Sequence, residues 1–595
     1  MKKRFDLPGD RTRLLHQDLP TSAELVSAVK QMSRVEHGLL ALFTVILSVS
    51  ALGILANIND SLLSAVPAPG GTLIEGVIGS PRFINPLLAT SDSDRDLVAL
   101  VYSGLMRIGA DGSLIPDLAK TMNSSDDGRT YTFVLRDELT WHDGEPVTAD
   151  DVVYTVNQAQ NPILKSPKRG SWEGVEVFAV DEKTVQFTLT QPYSSFLENT
   201  TLGILPKHIW NNVPTEVFSF SEFNLEPYGS GPYRITKIKR DKSGIPEYYE
   251  LKPFSDFALG KPYISSVVIR FFPNEDRLLQ AYERGEIGAA NALQADTVAG
   301  LLKMGIPVYA TEIALPRVFA VFFNQNQQPL FSRKEVREAL SIGVNRERIV
   351  LEVLSGYGTA ISGPLPPGTL GAENPDLPEL NGRTHKEAGR FVLERAGWSA
   401  DAETGIMHRT IDKKDVSLAF SLVTSNTPEL KRAAEIVKSE WEKLGARITL
   451  NYFDIGDLNQ NIIRPRKYDA LFFGQIVGRD PDPFSFWHSS QRNDPGLNVA
   501  LYTNIAADRA LENARSATNN EARVAQYARF QKEIEKDIPA VFLYAPHFLY
   551  LLPHDVRGIE LASVTTPSER FSGIFDWYIE TDRVWKIFLP KREGA

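Results

Sequence analysis

From Gly38 to Ala56 the chain runs for 19 residues without a charged side chain, Gly-Leu-Leu-Ala-Leu-Phe-Thr-Val-Ile-Leu-Ser-Val-Ser-Ala-Leu-Gly-Ile-Leu-Ala. As a helix rising about 1.5 Å per residue, this stretch nearly matches the roughly 30 Å hydrocarbon core of a bilayer. A helix packed on a soluble core keeps a polar face, whereas this one is apolar all round and has no counterpart elsewhere in the chain. A transmembrane helix over 38–57 is therefore expected. A cleavable signal peptide is the competing reading, since Ser64-Ala65-Val66-Pro67-Ala68 offers a peptidase small residues. Against it stand the 37 residues before the apolar run and the length of the run itself. Lys30 and Arg34 closely precede the run, and no Lys or Arg occurs between Leu39 and Gly79. The positive-inside rule then puts residues 1–37 in the cytoplasm. The large C-terminal region lies on the extracellular or periplasmic side of a single-pass cell-membrane anchor. Residues 58–70, rich in Ser, Ala, Pro and Gly, read as a short tether.

Charge and cysteine content narrow the function. The net charge is −10, and the first 36 residues carry seven basic and five acidic side chains, so the remainder stands at −12. Such a surface repels phosphate backbones, and the one short basic run, Lys237 to Lys242, reads as a solvated turn; a nucleic-acid partner is not expected. With no cysteine there is no disulfide, thiolate metal site, iron-sulfur cluster or cysteine nucleophile. Nine scattered histidines suggest no metal site, and neither a Gly-x-Ser-x-Gly elbow, a His-Glu-x-x-His helix nor a phosphate-binding loop occurs. No catalytic residue, metal ligand or cofactor is nominated.

Past the tether the pattern is mixed α/β. Thr130–Leu135 and Thr184–Thr190 read as strands, and Thr148-Ala-Asp-Asp151 as a helix start. Residues 416–423, 428–444 and 447–453 read as strand, helix and strand. Leu430, Ala434, Val437, Trp441 and Leu444 form one apolar stripe on that helix, which makes Trp441 core, and Gly445 is placed to cap it. A further helix follows Phe331. Lys467-Tyr-Asp-Ala-Leu-Phe-Phe-Gly-Gln475 reads as a buried strand entering a loop at Gly478, and loops leaving such strands are where α/β proteins place ligands. At the other end of the chain, residues Thr21 to Val35 form a candidate amphipathic helix.

Nine segments follow one another in a familiar order. They are Arg82-Phe-Ile-Asn-Pro-Leu-Leu with Leu100-Val-Tyr-Ser-Gly-Leu-Met, Leu114-Ile-Pro-Asp-Leu-Ala, and Tyr131-Thr-Phe-Val-Leu-Arg with Trp141-His-Asp-Gly-Glu-Pro-Val-Thr-Ala-Asp-Asp-Val-Val-Tyr154. Then come Gly229-Ser-Gly-Pro-Tyr-Arg, Ala281-Tyr-Glu-Arg-Gly-Glu-Ile, Phe331-Ser-Arg-Lys-Glu-Val-Arg-Glu-Ala-Leu and Asp480-Pro-Asp-Pro. From about Gly71 onward the chain resembles the family 5 extracellular solute-binding proteins of ABC transporters, a group of oligopeptide-, dipeptide- and nickel-binding receptors. Physically, Asp143-Gly144 reads as a turn with Trp141 packed over it, and Gly229, Gly231 and Pro232 as a close backbone passage.

The resemblance implies a two-lobed periplasmic-binding-protein-like fold of type II with an inserted domain. Lobe I comprises 71–110, 191–318 and 540–595, the insertion 111–190, and lobe II 319–539, with hinge crossovers near Leu315 and Ala540. It implies a membrane-anchored receptor that captures an oligopeptide in the cleft and delivers it to ABC transporter permease subunits. A metal chelate or other small solute as ligand, a sensor without transport, and a cell-surface peptidase are the alternatives. In peptide-binding relatives an Asp four residues before a Pro of the cleft loop meets the peptide amine. Here the loop reads Gly478-Arg-Asp-Pro-Asp-Pro-Phe-Ser-Phe-Trp487, and that position is Arg479. Asp480 is placed to take over, or Arg479 offers its planar fork to a ligand carboxylate or phosphate; alternatively the two pair with each other and merely order the loop. The other candidate ligand residues are Trp487, Trp172, Ser80 and Arg82, with core packing the alternative for Trp487.

Overall fold

The computed structural model describes residues 21–304, 308–372, 377–411, 413–561 and 563–588, so the first 20 residues of the expected cytoplasmic segment lie outside the described part. The chain divides into two units, one reaching to Pro67 and resuming at Thr581, the other formed by Ala68–Glu580.

In the first unit, α1 (Ser22–Gln31) stops short of the expected Val35 because Ser33 caps the next helix. The Ser33 hydroxyl accepts from Glu36 N–H at 3.3 Å and the Glu36 carboxylate from Ser33 N–H at 2.6 Å, a reciprocal cap. From there α2 runs over Arg34–Leu62 with no buried residue, and it is the one helix among the described residues long and apolar enough to cross a membrane. Two expectations shift here. The helix does not stop at residue 57, because Asn57–Leu62 contains neither Gly nor Pro. The expected tether is instead the last helical turns followed by strand β1 (Leu63–Ala68), which pairs with a strand at Glu580–Trp585.

The second unit begins with β2 (Gly70–Ile78) and α3 (Asp92–Val101), the latter capped by Ser91 and Asp94. Next comes a separate antiparallel sheet of β3 (Ala119–Ser124), β4 (Thr130–Leu135), β5 (Val175–Ala179) and β6 (Thr184–Leu189) in the order β3-β4-β6-β5, covered by α4 (Ala149–Gln160). Tyr131, Phe133 and Leu135 of β4 and Val185, Phe187 and Leu189 of β6 are buried while their neighbours are not. This period of two lays one face of the sheet on the core.

The large sheet is built from β2 with β7 (Tyr233–Arg240), β8 (Pro246–Pro253), β9 (Ile264–Phe272), β10 (Ala289–Asn291) and β11 (Val308–Ala314) on one side. On the other lie β12 (Arg317–Phe323), β13 (Ala419–Ser425), β14 (Arg447–Phe453) and β15 (Ala470–Ile476). Between β13 and β14 runs α5 (Pro428–Lys443), and the two strands pair in parallel, Ala419 to Ser425 against Arg447 to Phe453. Trp441 is fully buried at the centre of this βαβ unit, and Gly445 caps the helix with φ +98°. The expected strand 416–423 is divided: Lys414–Ser417 pairs with Met407–Ile411 in a small sheet, and β13 starts after Leu418. Helices α6 (Ile505–Ser516) and α7 (Asn520–Asp537) then lead into β16 (Ala540–Pro553).

Both halves of the sheet share β16. Its residues Ala540–Tyr544 pair with β12 and its residues His547–Pro553 with β11, both antiparallel. Only Leu315 and Pro316 separate β11 from β12, so the chain passes between the lobes twice at neighbouring points: at 315–316, and inside β16 between Tyr544 and His547. This is a two-lobed α/β architecture whose halves join through two adjacent backbone segments, the geometry of a hinge. The second unit ends at Glu580, where β17 (Glu580–Trp585) begins and carries the chain back into the first.

Candidate functional site

The loop leaving β15 ties its acidic side chains to its own lobe and sends one side chain across to the other. Gly478, at φ +86°, turns the chain out of the strand. Asp480 forms an ion pair with Arg523 of α7, and Tyr527 one turn later donates its hydroxyl to Pro481 O at 2.6 Å. Asp482 accepts from Arg515 Nε of α6 at 2.9 Å, and the Arg515 guanidinium lies 3.8 Å over the Phe484 ring. Trp487 is 2 % exposed, packed against Phe322, Tyr502, Phe530 and Phe542.

Arg479 is the exception. Its guanidinium crosses to the other lobe, forming ion pairs with Glu569 and, at 3.6 Å, with Glu198. Arg479 and Asp480 therefore do not pair with each other, and each is held by a different partner. Burial pushes Glu198 up to about 7 against the pull of Arg479, and Asp480 and Glu569 add to the rise. Glu569 in turn sits beside Arg570, which is fully buried and fixed by charge. Arg570 Nε donates to Glu75 Oε1 at 2.9 Å, and both its terminal nitrogens reach Asp96 at 2.7 Å. Tyr550 Oη and Asn291 Nδ2 complete the shell around Glu75 at 2.7 and 2.9 Å. Burial pushes Asp96 up to about 6 even with Arg570 beside it. The cluster ties the 3-10 turn Pro567–Phe571 to β2 and α3, and so fixes where Glu569 stands.

Glu198 and Glu569 line a cavity of about 160 Å³ with Tyr102, Arg107 and Asp117. On the other side of the loop, a groove of about 730 Å³ runs between residues 170–199 and the second lobe, lined among others by Gln191, Tyr193, Asn199, Asp482 and Arg515. Arg317, the first residue of β12 after the crossover, buries its Nε without a hydrogen-bond partner among the described residues. Burial lowers its pKa, offset by Asp92. No group of three His, Asp or Glu side chains among the described residues is arranged to hold a metal ion.

The remaining sequence candidates fall in three kinds of place. Trp172 is 2 % exposed and packs with Phe187 and Phe196 in the core beneath the four-stranded sheet, so it offers no free face. Ser80 has a buried hydroxyl with no hydrogen-bond partner among the described residues. Arg82 is exposed, its backbone N–H held by Asp94 at 2.7 Å and its guanidinium 5.7 Å over Phe83. Glu198, Glu569 and Arg317 were not singled out from sequence. For Arg317 a signal exists: it is the one charge opening an otherwise apolar strand directly after Pro316. Glu198 and Glu569 carry none.

The motif segments also find physical roles. His142 Nδ1 accepts from Gly229 N–H at 3.3 Å, which leaves Nε2 to donate to Gly231 O at 3.1 Å, and so joins the Trp141 turn to the Gly229 passage. Burial lowers the His142 pKa to about 4, keeping the ring neutral in that role. A Cβ on Gly229 would lie 1.9 Å from Val101 O, so backbone passes backbone there.

The model of bacterial extracellular solute-binding proteins, family 5, matches residues 113–497. The chain belongs to this family. Among its relatives is the oligopeptide-binding protein AppA of Bacillus subtilis, 28 % identical over 503 residues covering 83 % of this chain and 89 % of AppA. The dipeptide-binding protein of Escherichia coli is 26 % identical over 515 residues, covering 82 % and 91 %. The structure of B. subtilis AppA in complex with a nonapeptide superposes with TM-score 0.66 at 26 % identity over 87 % of this chain and all of that one. The substrate-binding protein CtaP of Listeria monocytogenes superposes with TM-score 0.72 at 28 % identity, covering 86 % and 99 %. This family 5 chain thus has the two-lobed fold of its solved relatives, which are binding receptors.

Proposed function

We propose that this family 5 protein is the membrane-anchored receptor of an ABC importer, capturing oligopeptides between its lobes and passing them to permease subunits on the outer face of the membrane. The observation that carries the reading is Arg479 meeting Glu198 and Glu569 across the cleft. A zwitterionic peptide brings one charge of each sign, and both find their opposite here. Its carboxylate takes an arm of the Arg479 fork, and its amine replaces that arm on Glu569 or Glu198. Each exchange trades one ion pair for another, so contact with both lobes is kept while the ligand is held. Asp480, committed to Arg523, keeps the loop in shape. The relatives that bind oligopeptide and dipeptide support the ligand class. The 29-residue apolar helix and the basic residues preceding it support an uncleaved anchor with the lobes outside.

Native mass spectrometry of the solubilised full chain tests the ligand class. Peptides of a few residues should be retained at one per chain. Recovery of a metal chelate, a sugar or no solute in place of peptides contradicts the reading.

A further inference from the structure

The strand β17 and the turn after it place three exposed apolar side chains at the level where α2 would leave a membrane. Trp585 is 45 % exposed, Ile587 75 % and Phe588 72 %. They are held there by specific contacts. Arg583 pairs with Asp60 at 3.3 Å, Trp585 Nε1 donates to Asn59 Oδ1 at 3.0 Å, and Lys586 Nζ donates to Ser61 O at 2.9 Å. β17 also pairs with β1, the segment that follows α2 directly. The three helix partners, Asp60, Asn59 and Ser61, lie within one turn near the C-terminal end of α2, so Arg583–Lys586 is seated beside that end of the helix.

The depth follows from helix geometry. Asn59 lies three residues past Ala56, where the uncharged run ends, which is about 4.5 Å along the axis. The headgroup zone of each leaflet is roughly 5 to 8 Å thick. Trp585 is thereby set inside that zone. Indole with a satisfied N–H and an exposed apolar body is the side chain enriched at this level. Ile587 and Phe588 follow it in a 3-10 turn, and between them and Trp585 the Lys586 ammonium reaches back to Ser61, farther from the apolar run than Asn59. An ammonium drawn toward water beside apolar neighbours is the arrangement of an interfacial anchor.

We propose that Trp585, Ile587 and Phe588 form a second membrane contact, seated in the outer-leaflet headgroup region beside α2. The receptor is then tied to the bilayer by strand β17 as well as by the helix. The inference rests on the anchor reading above, and its occupant is the lipid surface.

The chain contains no cysteine, so single-cysteine spin labels report unambiguously. Full-length Leu47→Cys, Ile587→Cys, Phe588→Cys and Phe220→Cys variants are labelled in lipid nanodiscs, and collision with oxygen is compared with collision with a water-soluble nickel chelate. Leu47→Cys reports the hydrocarbon, and Phe220→Cys, 85 % exposed on the other unit, reports water. The ratio at Ile587→Cys and Phe588→Cys should lie several-fold above that at Phe220→Cys and below that at Leu47→Cys. If both match Phe220→Cys while Leu47→Cys is deep, the span stands and the second contact is wrong. If Leu47→Cys is also aqueous, the anchor reading fails and takes this inference with it.

Discussion

Arg479 and Glu569 form an ion pair across two lobes between which the chain passes at Leu315–Pro316 and again within β16. An Arg fork facing two carboxylates is a lock that opens to any molecule carrying a carboxylate and an amine. Arg479→Ala is expected to weaken peptide binding by about tenfold or more, near 1.4 kcal/mol. Arg479→Lys, which keeps the charge without the planar fork, should fall between. Isothermal titration with a peptide bound by the parent protein measures both. Equal affinity in all three would remove Arg479 from the site.

Glu198 gives the cleft a pH dependence. Its pKa in the folded protein is raised to about 7, above its ordinary 4.5, chiefly by burial. Its contribution to stability is therefore fully present below about pH 4.5 and is lost as pH rises through about 7. Glu198→Gln fixes the uncharged form. The variant should melt above the parent at pH 8, with the difference shrinking toward pH 5. A gap independent of pH in differential scanning fluorimetry would contradict this.

Arg570 with Glu75 and Asp96 is a fully buried charge cluster, and breaking it from one side strands the carboxylates. Arg570→Met should destabilise the protein by about 3–5 kcal/mol, read from urea unfolding. Adding Glu75→Gln and Asp96→Asn removes the stranded charges and should recover part of the loss. Failure of the triple variant to recover any would mean that Arg570 acts through packing against Phe571, over whose ring it lies 4.0 Å, and not through charge.

Gly229 and Gly170 differ in what a methyl group would meet. At Gly229 it strikes the Val101 carbonyl, whereas at Gly170 nothing lies within 4 Å. Gly229→Ala should therefore cost about 1–3 kcal/mol or more, as overpacking does, and Gly170→Ala close to none of it. Thermal melts of the two variants make the comparison.

Much of the frame was legible because it depends on neighbours in sequence. β-Branched and aromatic residues marked β4 at Thr130–Leu135, alternation marked β6 most clearly, and the stripe through Leu430, Val437 and Trp441 marked α5 and its burial. The cleft was not legible to the same degree. Arg479 and Glu569 stand 90 residues apart and Arg570 and Glu75 stand 495 apart, so their pairing depends on how the lobes and the 3-10 turn come together. Nothing local distinguishes Glu569 from any exposed glutamate. The tether was misread for the opposite reason. Its Ser, Ala and Pro content describes a flexible chain, but pairing with β17, which begins more than 500 residues later, makes Leu63–Ala68 a strand.

Closure of the two hinged lobes on a peptide is expected. Single-molecule energy transfer on the full-length Ile163→Cys/Ile505→Cys double variant in nanodiscs measures it directly, since Ile163 belongs with the inserted segment, Ile505 opens α6 of the second lobe, and both are exposed. Adding a peptide mixture should narrow the distribution and move it to higher transfer. A distribution unmoved by every peptide tried would mean that the lobes do not close on peptide.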